Sequence, residues 1–189
     1  MKAIIILVIT IMVSTTNTSF GQENKELNTT GTATLYIFRT SDIGALINFK
    51  YYIDENYIGK FNYGKYMKLE LEPGEHFIFA KAENITFIKA NFEASKTYFL
   101  NSLPRMGGIK AAVKLAQVTL EDERWLKRIR KHLVTKELVT FTQEELEEGQ
   151  KKSTEIIRRA RKKYNRFMEK GMGIPTLNQP IPLSSITLH

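Results

Sequence analysis

The apolar and polar positions of the chain follow one rule up to Leu120 and another after it. In residues 66–71, Met67, Leu69 and Leu71 alternate with Lys68 and Glu70. A period of two with one polar face is the pattern of a half-buried antiparallel strand. Residues 33–39 alternate Leu35 and Ile37 with Tyr36 and Phe38, a β-branched and aromatic composition that suits a strand. The same reasoning predicts strands over 46–53, 57–61, 76–82, 85–92, 97–103 and 111–120. Turn residues separate them. Asp54, Glu55 and Asn56 form a tight turn, because Asp and Asn tolerate left-handed backbone and bond their own main chain. Gly59 marks a bulge or a close approach. In Glu72-Pro73-Gly74-Glu75, Pro presets its own φ and Gly accepts a positive one. Turns recurring roughly every 8 to 12 residues argue for a β-sandwich or barrel over 32–120.

After Leu120 the period lengthens. Glu121, Asp122 and Glu123 open a helix predicted over 121–134, with Trp125, Leu126, Ile129 and Leu133 on one face. Lys131 and His132 near its end complement the macrodipole, and the helix is expected to pack on the sandwich. A second start is sharper. Thr142 and Glu145 have capping-box spacing, and Phe141 with Leu146 has that of a hydrophobic staple. One helix of roughly 40 Å is predicted from there over 143–170, closed by Gly171 and Pro175. Leu146, Ser153, Ile157, Ala160, Tyr164 and Phe167 line one side, the C-terminal half of the stripe being the more apolar. The tail 171–189 carries Pro175, Pro180 and Pro182 and is expected to be extended or disordered.

The two ends change the picture of where the protein works. Residues 1–21 read as a secretory signal: Lys2 supplies the positive end, Ala3 to Val13 the apolar core, and Ser19-Phe20-Gly21 a small-x-small cleavage site. That core is shorter than the roughly 20 residues of a membrane-spanning helix. Residues 22–31 form a polar leader. The absence of cysteine excludes disulfides, thiol chemistry, cysteine-ligated metals and the lipid attachment of a bacterial lipoprotein. The formal charge of +8 is unevenly placed. Glu23 to Leu103 holds nine basic and ten acidic residues, whereas Pro104 onward holds eighteen and ten. Such asymmetry points to an anionic partner for the basic half.

Five motifs run in order along the β region: Leu35 to Arg39, Ile53-Asp54 with Ile58-Gly59, Gly64 with Tyr66, Leu71 with Pro73-Gly74 and His76, and Tyr98-Phe99-Leu100. This order resembles domain-of-unknown-function family 2846, secreted or envelope-associated β-sandwich proteins of Gram-negative bacteria. A looser similarity to PEGA-type surface domains rests on the same hairpin and turn. The resemblance covers roughly residues 31 to 120. It implies an antiparallel, transthyretin-like or carboxypeptidase-regulatory-like sandwich and an envelope address, and it implies no activity. Many relatives are lipoproteins, from which this chain departs. The basic helix lies outside the resemblance.

Candidate chemistry is sparse. His76, His132 and His189 have no metal-ligand spacing, and no HExxH or nucleophile-elbow motif occurs. His76 is expected to hydrogen-bond locally beside its turn, and Asp54 and Glu55 to point apart. Met106-Gly107-Gly108 lacks the spacing of a phosphate loop. Arg39 is expected to pair with a carboxylate on a neighbouring strand. No catalytic, cofactor-binding or metal-ligating residue is predicted, and no cofactor. The one promising cluster is Arg158, Arg159, Arg161, Lys162, Lys163 and Arg166, suited to neutralising phosphates of lipopolysaccharide or anionic lipid. An export signal disfavours nucleic acid. Three readings of that helix stay open: a packing or homo-oligomer helix using the 157/160/164/167 stripe, a solvated basic face, or an anionic-surface binder. The expectation is a non-enzymatic β-sandwich module with a C-terminal helical extension, periplasmic or outer-envelope associated. It would act by binding or assembly, with an envelope protein or an anionic surface as partner.

Overall fold

Residues Ala33–Phe38 (β1) are apolar on both sides of the strand, and a strand of that kind needs cover on both faces. The structure, a computed structural model, describes residues 31–106 and 111–187; the expected signal peptide and most of the leader lie outside them. In the described residues β1 is followed by β2 (Phe49–Ile53), β3 (Asn56–Phe61), β4 (Lys65–Leu71), β5 (Gly74–Lys81), β6 (Ile85–Phe92), β7 (Thr97–Met106) and β8 (Ala111–Gln117). Then come α1 (Glu123–Thr135), β9 (Glu137–Leu138), α2 (Gln143–Lys151), α3 (Thr154–Glu169), β10 (Thr176–Leu177) and α4 (Leu183–Thr187). The strands form two five-stranded sheets, in the orders β8-β7-β1-β4-β9 and β10-β6-β5-β2-β3.

The sheets are mixed, which corrects the expectation of a purely antiparallel arrangement. β1 runs parallel to β7, β4 to β9 and β6 to β10. Parallel neighbours need a long crossover, and β2, β3, β5 and β6 of the second sheet lie between β1 and β7 in sequence. The first hairpin is as expected. Asp54 and Glu55 have φ of 48° and 68°, the pair of positive values that lets a two-residue turn follow strand twist. Gly59, at φ 135°, is both bulge and close approach: a Cβ there would lie 2.2 Å from Cε2 of Phe141.

Leu35, Ile37, Tyr51, Ile53, Ile78, Ala80, Ile88, Tyr98 and Leu100 fill the space between the sheets. The outer faces are apolar too. On the first sheet Tyr36, Phe38, Tyr66 and Phe99 are covered by Leu126 and Ile129 of α1 and by Ile181 and Ile186 of the tail. On the second, Tyr52, Tyr57, Phe79, Ile85 and Phe87 are covered by α2 and α3. Each large apolar side chain moved from water contributes about 1.5–3 kcal/mol, so the helices and tail belong to the same folded unit as the strands.

Arg39 overturns the expected carboxylate pairing. Its side chain is fully buried, and its guanidinium donates to the carbonyls of Ile43, Gly44 and Ile47 and lies 4.0 Å from the centre of the Phe49 ring. The charge is met by peptide dipoles and an aromatic face, and burial lowers its pKa. This is why the strand predicted from residue 46 begins only at Phe49: residues 43–47 are bent around the guanidinium, leaving Leu46 exposed. His132, expected near the helix end as a complement to the macrodipole, is buried as well. Its Nδ1 pairs with the Arg128 carbonyl at 2.9 Å, while Nε2 is buried with no hydrogen-bond partner among the described residues.

Two further expectations are corrected. The single helix over 143–170 is two helices, α2 and α3, divided at Lys152 and Ser153. Ser153 is completely buried, and its hydroxyl donates to the Gly149 carbonyl at 2.6 Å and meets the Tyr52 hydroxyl at 2.9 Å. A serine bonding back four residues bends a helix. The capping box of Thr142 and Glu145 is present in both directions, but Phe141 packs on the inter-sheet core while Leu146 packs on the outer aromatic cluster. The tail is extended in part but not loose: β10 pairs with β6, Leu177, Ile181 and Ile186 are buried, and Arg130 donates to the carbonyls of Ser185 and Ile186.

Three outcomes follow for stability. Ile181→Ala is expected to cost roughly 2–5 kcal/mol in denaturant unfolding; a tail lying free of the core would give no change. Gly149→Ala gains about 1 kcal/mol of helix propensity, but its Cβ would lie 2.0 Å from Cε1 of the buried Tyr57, and overpacking costs about 1–3 kcal/mol. A net loss is expected, against no loss for Gly173→Ala, where a Cβ meets nothing within 4 Å. Burial, aided by Lys136 and Lys131 and opposed by nearby backbone groups, lowers the His132 pKa. Below the ordinary histidine value of 6.5 the unfolded chain binds the proton first, so stability falls as pH drops through that value. Unfolding curves between about pH 7 and 5 are expected to show a flatter profile for His132→Leu than for the wild type.

Candidate functional site

The placement of the six predicted cations starts from how α3 lies. Ile157, Ala160, Tyr164 and Phe167 recur at three and four residues and are buried or half-buried against Tyr52, Phe77, Phe79 and Phe87 of the second sheet. Tyr164 meets Phe77 edge-on with ring centres 4.6 Å apart, and Phe167 meets Phe87 at 5.8 Å. Once this stripe faces the sheet, the positions between its members face water. The stripe that would serve a helix-mediated homodimer is therefore occupied by the chain's own sheet, which removes that basis for the homo-oligomer expectation.

The cations divide into three groups. Arg161 pairs with Glu55 at the β2–β3 turn through two hydrogen bonds, Nε to Oε1 at 2.8 Å being one, and its guanidinium holds the Glu55 carboxyl below its ordinary pKa. Arg158 grips Glu155 one turn back on the same helix, at 2.8 and 2.7 Å. Lys163 is half-buried: its ammonium donates to the Ile85 carbonyl at 2.6 Å and lies over the Phe87 and Phe167 rings at 5.7 and 5.4 Å. Burial, then the charge of Arg166, lowers its pKa. Lys163 ties α3 to the start of β6. The third group, Arg159, Lys162 and Arg166, is exposed and makes no ion pair or side-chain hydrogen bond among the described residues.

These three line a groove of about 530 Å³ between α3 and the β5–β6 connection, together with Arg158, Lys163 and Lys81. Two acids, Glu83 and Glu155, also line it. The opposite wall is held by Asn84. Its side-chain amide donates to the Val113 carbonyl at 2.9 Å and accepts from the Val113 amide at 2.7 Å, acting as one residue of backbone against β8. The structure thus brings five of the six predicted residues to one groove and turns Arg161 away from it. Periodicity missed Lys81 and Asn84, because nothing local in the sequence says which turn the helix will face.

A second cleft, of about 350 Å³, lies between Tyr164, Phe77, Lys89, Asn91, Thr176 and the His76–Asp54 pair. His76 Nδ1 is 2.6 Å from Asp54 Oδ2, and Nε2 is 2.8 Å from the Glu72 carbonyl. Asp54 also accepts from the Phe77 amide at 2.8 Å through Oδ1. Both ring nitrogens face acceptors that close the hairpin, so neither is directed at a reacting group. Asp54 turns to His76 and Glu55 to Arg161, the divergence expected of neighbours at a turn. Gly107, Gly108 and His189 lie outside the described residues. Among the described residues no three His, Asp or Glu side chains gather at metal-binding distance, and no helix is long and apolar enough to cross a membrane.

No protein-family model matches the chain, and no solved structure matches it. It is similar to an uncharacterized protein of Haemophilus influenzae, 29% identical over 93 residues. The match covers 49% of this chain, which spans about half of that relative, 55% of its length.

Proposed function

We propose that the protein is an exported, non-enzymatic β-sandwich module of the bacterial cell envelope that meets an anionic surface through the outward face of α3. The observation that carries this reading is the burial of the α3 stripe, which leaves Arg159, Lys162 and Arg166 on one exposed side with no ion pair among the described residues. A cluster of basic side chains on a helix attracts anionic lipid at about 1 kcal/mol per residue near the surface. The signal-like first residues and the motif order shared with envelope β-sandwich domains support the address, and the two stacked sheets suit a transthyretin-like or carboxypeptidase-regulatory-like sandwich. The missing cysteine favours peripheral attachment over a lipid anchor.

Sedimentation with vesicles of phosphatidylcholine alone and with added phosphatidylglycerol tests the reading. The chain is expected to pellet with the anionic vesicles only, and less as salt rises. Reversing Arg159, Lys162 and Arg166 to Glu is expected to weaken binding by on the order of 100-fold or more, at about 1 kcal/mol per lost cation. Unchanged pelleting of the reversed variant would refute the proposal.

A further inference from the structure

The six cations look equivalent in the sequence, yet the fold uses them differently, and that division points to a discrete ligand rather than a diffuse field. Resting on the reading above, we infer that the groove between α3 and the β5–β6 connection is a binding site for a terminal phosphate monoester.

Four observations carry this. The first is concavity: a groove of about 530 Å³ has cations on the helix wall and Lys81 near the opposite wall, and a charged concavity focuses field more than a flat patch does. The second is charge. Lys81, Arg158, Arg159, Lys162, Lys163 and Arg166 outnumber Glu83 and Glu155 by four, an excess suited to a ligand carrying more than one negative charge. The third is availability. Arg158 is occupied by Glu155, Lys163 by the Ile85 carbonyl and Lys81 by the Ala82 and Glu83 carbonyls, whereas Arg159, Lys162 and Arg166, spaced at i, i+3 and i+7, make no side-chain hydrogen bond among the described residues. Two guanidinium forks flanking an ammonium suit phosphate oxygens, because the planar fork binds two of them at once. The fourth is rigidity. Lys163 fixes the helix to β6, and Asn84 fixes the turn to β8, so the walls are set before any ligand arrives and less ordering is left to binding.

The preference for a monoester follows from the count of donors. A terminal phosphate presents three oxygens and close to two charges, whereas a diester presents two free oxygens and one charge. The terminal group also projects from its carrier and can enter a groove, where a diester within a headgroup is flanked on both sides. The carrier is either a lipid or glycolipid headgroup or a soluble phosphate compound.

The test uses three forms of the full chain: wild type, a groove triple (Arg159→Gln, Lys162→Gln, Arg166→Gln) and an equal-charge control on α1 (Lys127→Gln, Arg128→Gln, Lys131→Gln), whose residues are also exposed. Each is titrated by calorimetry with glycerol 3-phosphate and pelleted with vesicles containing phosphatidic acid or phosphatidylglycerol at matched surface charge. The site predicts stronger binding to phosphatidic acid than to phosphatidylglycerol, reduced about tenfold or more in the groove triple and little in the control. Saturable binding of glycerol 3-phosphate with the same variant pattern also upholds the site and assigns a soluble carrier; binding only on vesicles assigns a lipid. Equal binding to the two vesicle types, weakened alike in both triples, overturns the site while leaving the anionic-surface reading standing. No binding to any anionic vesicle or to glycerol 3-phosphate overturns both. Tighter binding to a single-stranded oligonucleotide than to phosphatidic acid vesicles also overturns the monoester assignment.

Discussion

Two stacked sheets have four faces, and in this chain all four carry apolar side chains that need cover. Pairing the inner faces leaves two layers of aromatic rings, Tyr36, Phe38, Tyr66 and Phe99 on one side and Tyr52, Phe77, Phe79 and Phe87 on the other, that water would not solvate cheaply. The rest of the architecture depends on that constraint. α1 and the tail cover one layer, and α2 with α3 cover the other. Because α3 must turn Ile157, Ala160, Tyr164 and Phe167 inward, it has one orientation available, and the basic residues between them become a surface. The cation groove is thus a by-product of core burial, placed where it is by aromatic rings on a sheet.

The edges of the sheets obey a second constraint. Each exposes backbone donors and acceptors that invite pairing with another chain, and the chain fills parts of them from its own connections. β9 pairs with two residues of β4, and β10 with two of β6. On β3, Gln150 donates to the Glu55 carbonyl and accepts from the Tyr57 amide. On β8, Asn84 does the same for Val113, while Gln117 accepts from the amides of Asn178 and Gln179. Side-chain amides stand in for strands where no strand is long enough. One of these, Asn84, also forms a wall of the groove, so edge protection and the candidate site share a residue.

Much of this was legible in the sequence, and the limits have identifiable causes. The strands, the Asp54-Glu55 turn, the capping box of Thr142 and both amphipathic stripes are local, set by side-chain period and turn chemistry. The parallel pairing of β1 with β7, the guanidinium of Arg39 among carbonyls and the buried ring of His132 are not, because each depends on partners distant in the chain. The proline-bearing tail looked like a free end; its three buried aliphatics, Leu177, Ile181 and Ile186, lack any regular period and show their purpose only against β6 and α1. The bend at Ser153 was hidden for the same reason: a serine on an apolar stripe is unremarkable until a tyrosine hydroxyl from β2 is beside it.

The candidate site divides along the same line. The sequence by itself determined that bases would collect on one side of a helix whose other side is apolar, since a helical period and residue type are enough to say so. Only the tertiary structure decided which bases are free. Arg161 is paired because the β2–β3 turn brings Glu55 to it, Lys163 is held because β6 begins beneath it, and Arg159, Lys162 and Arg166 face the β5–β6 connection with no partner among the described residues. Charge is a property of composition, but its availability is a matter of neighbours, and neighbours separated by about a hundred residues are chosen by packing.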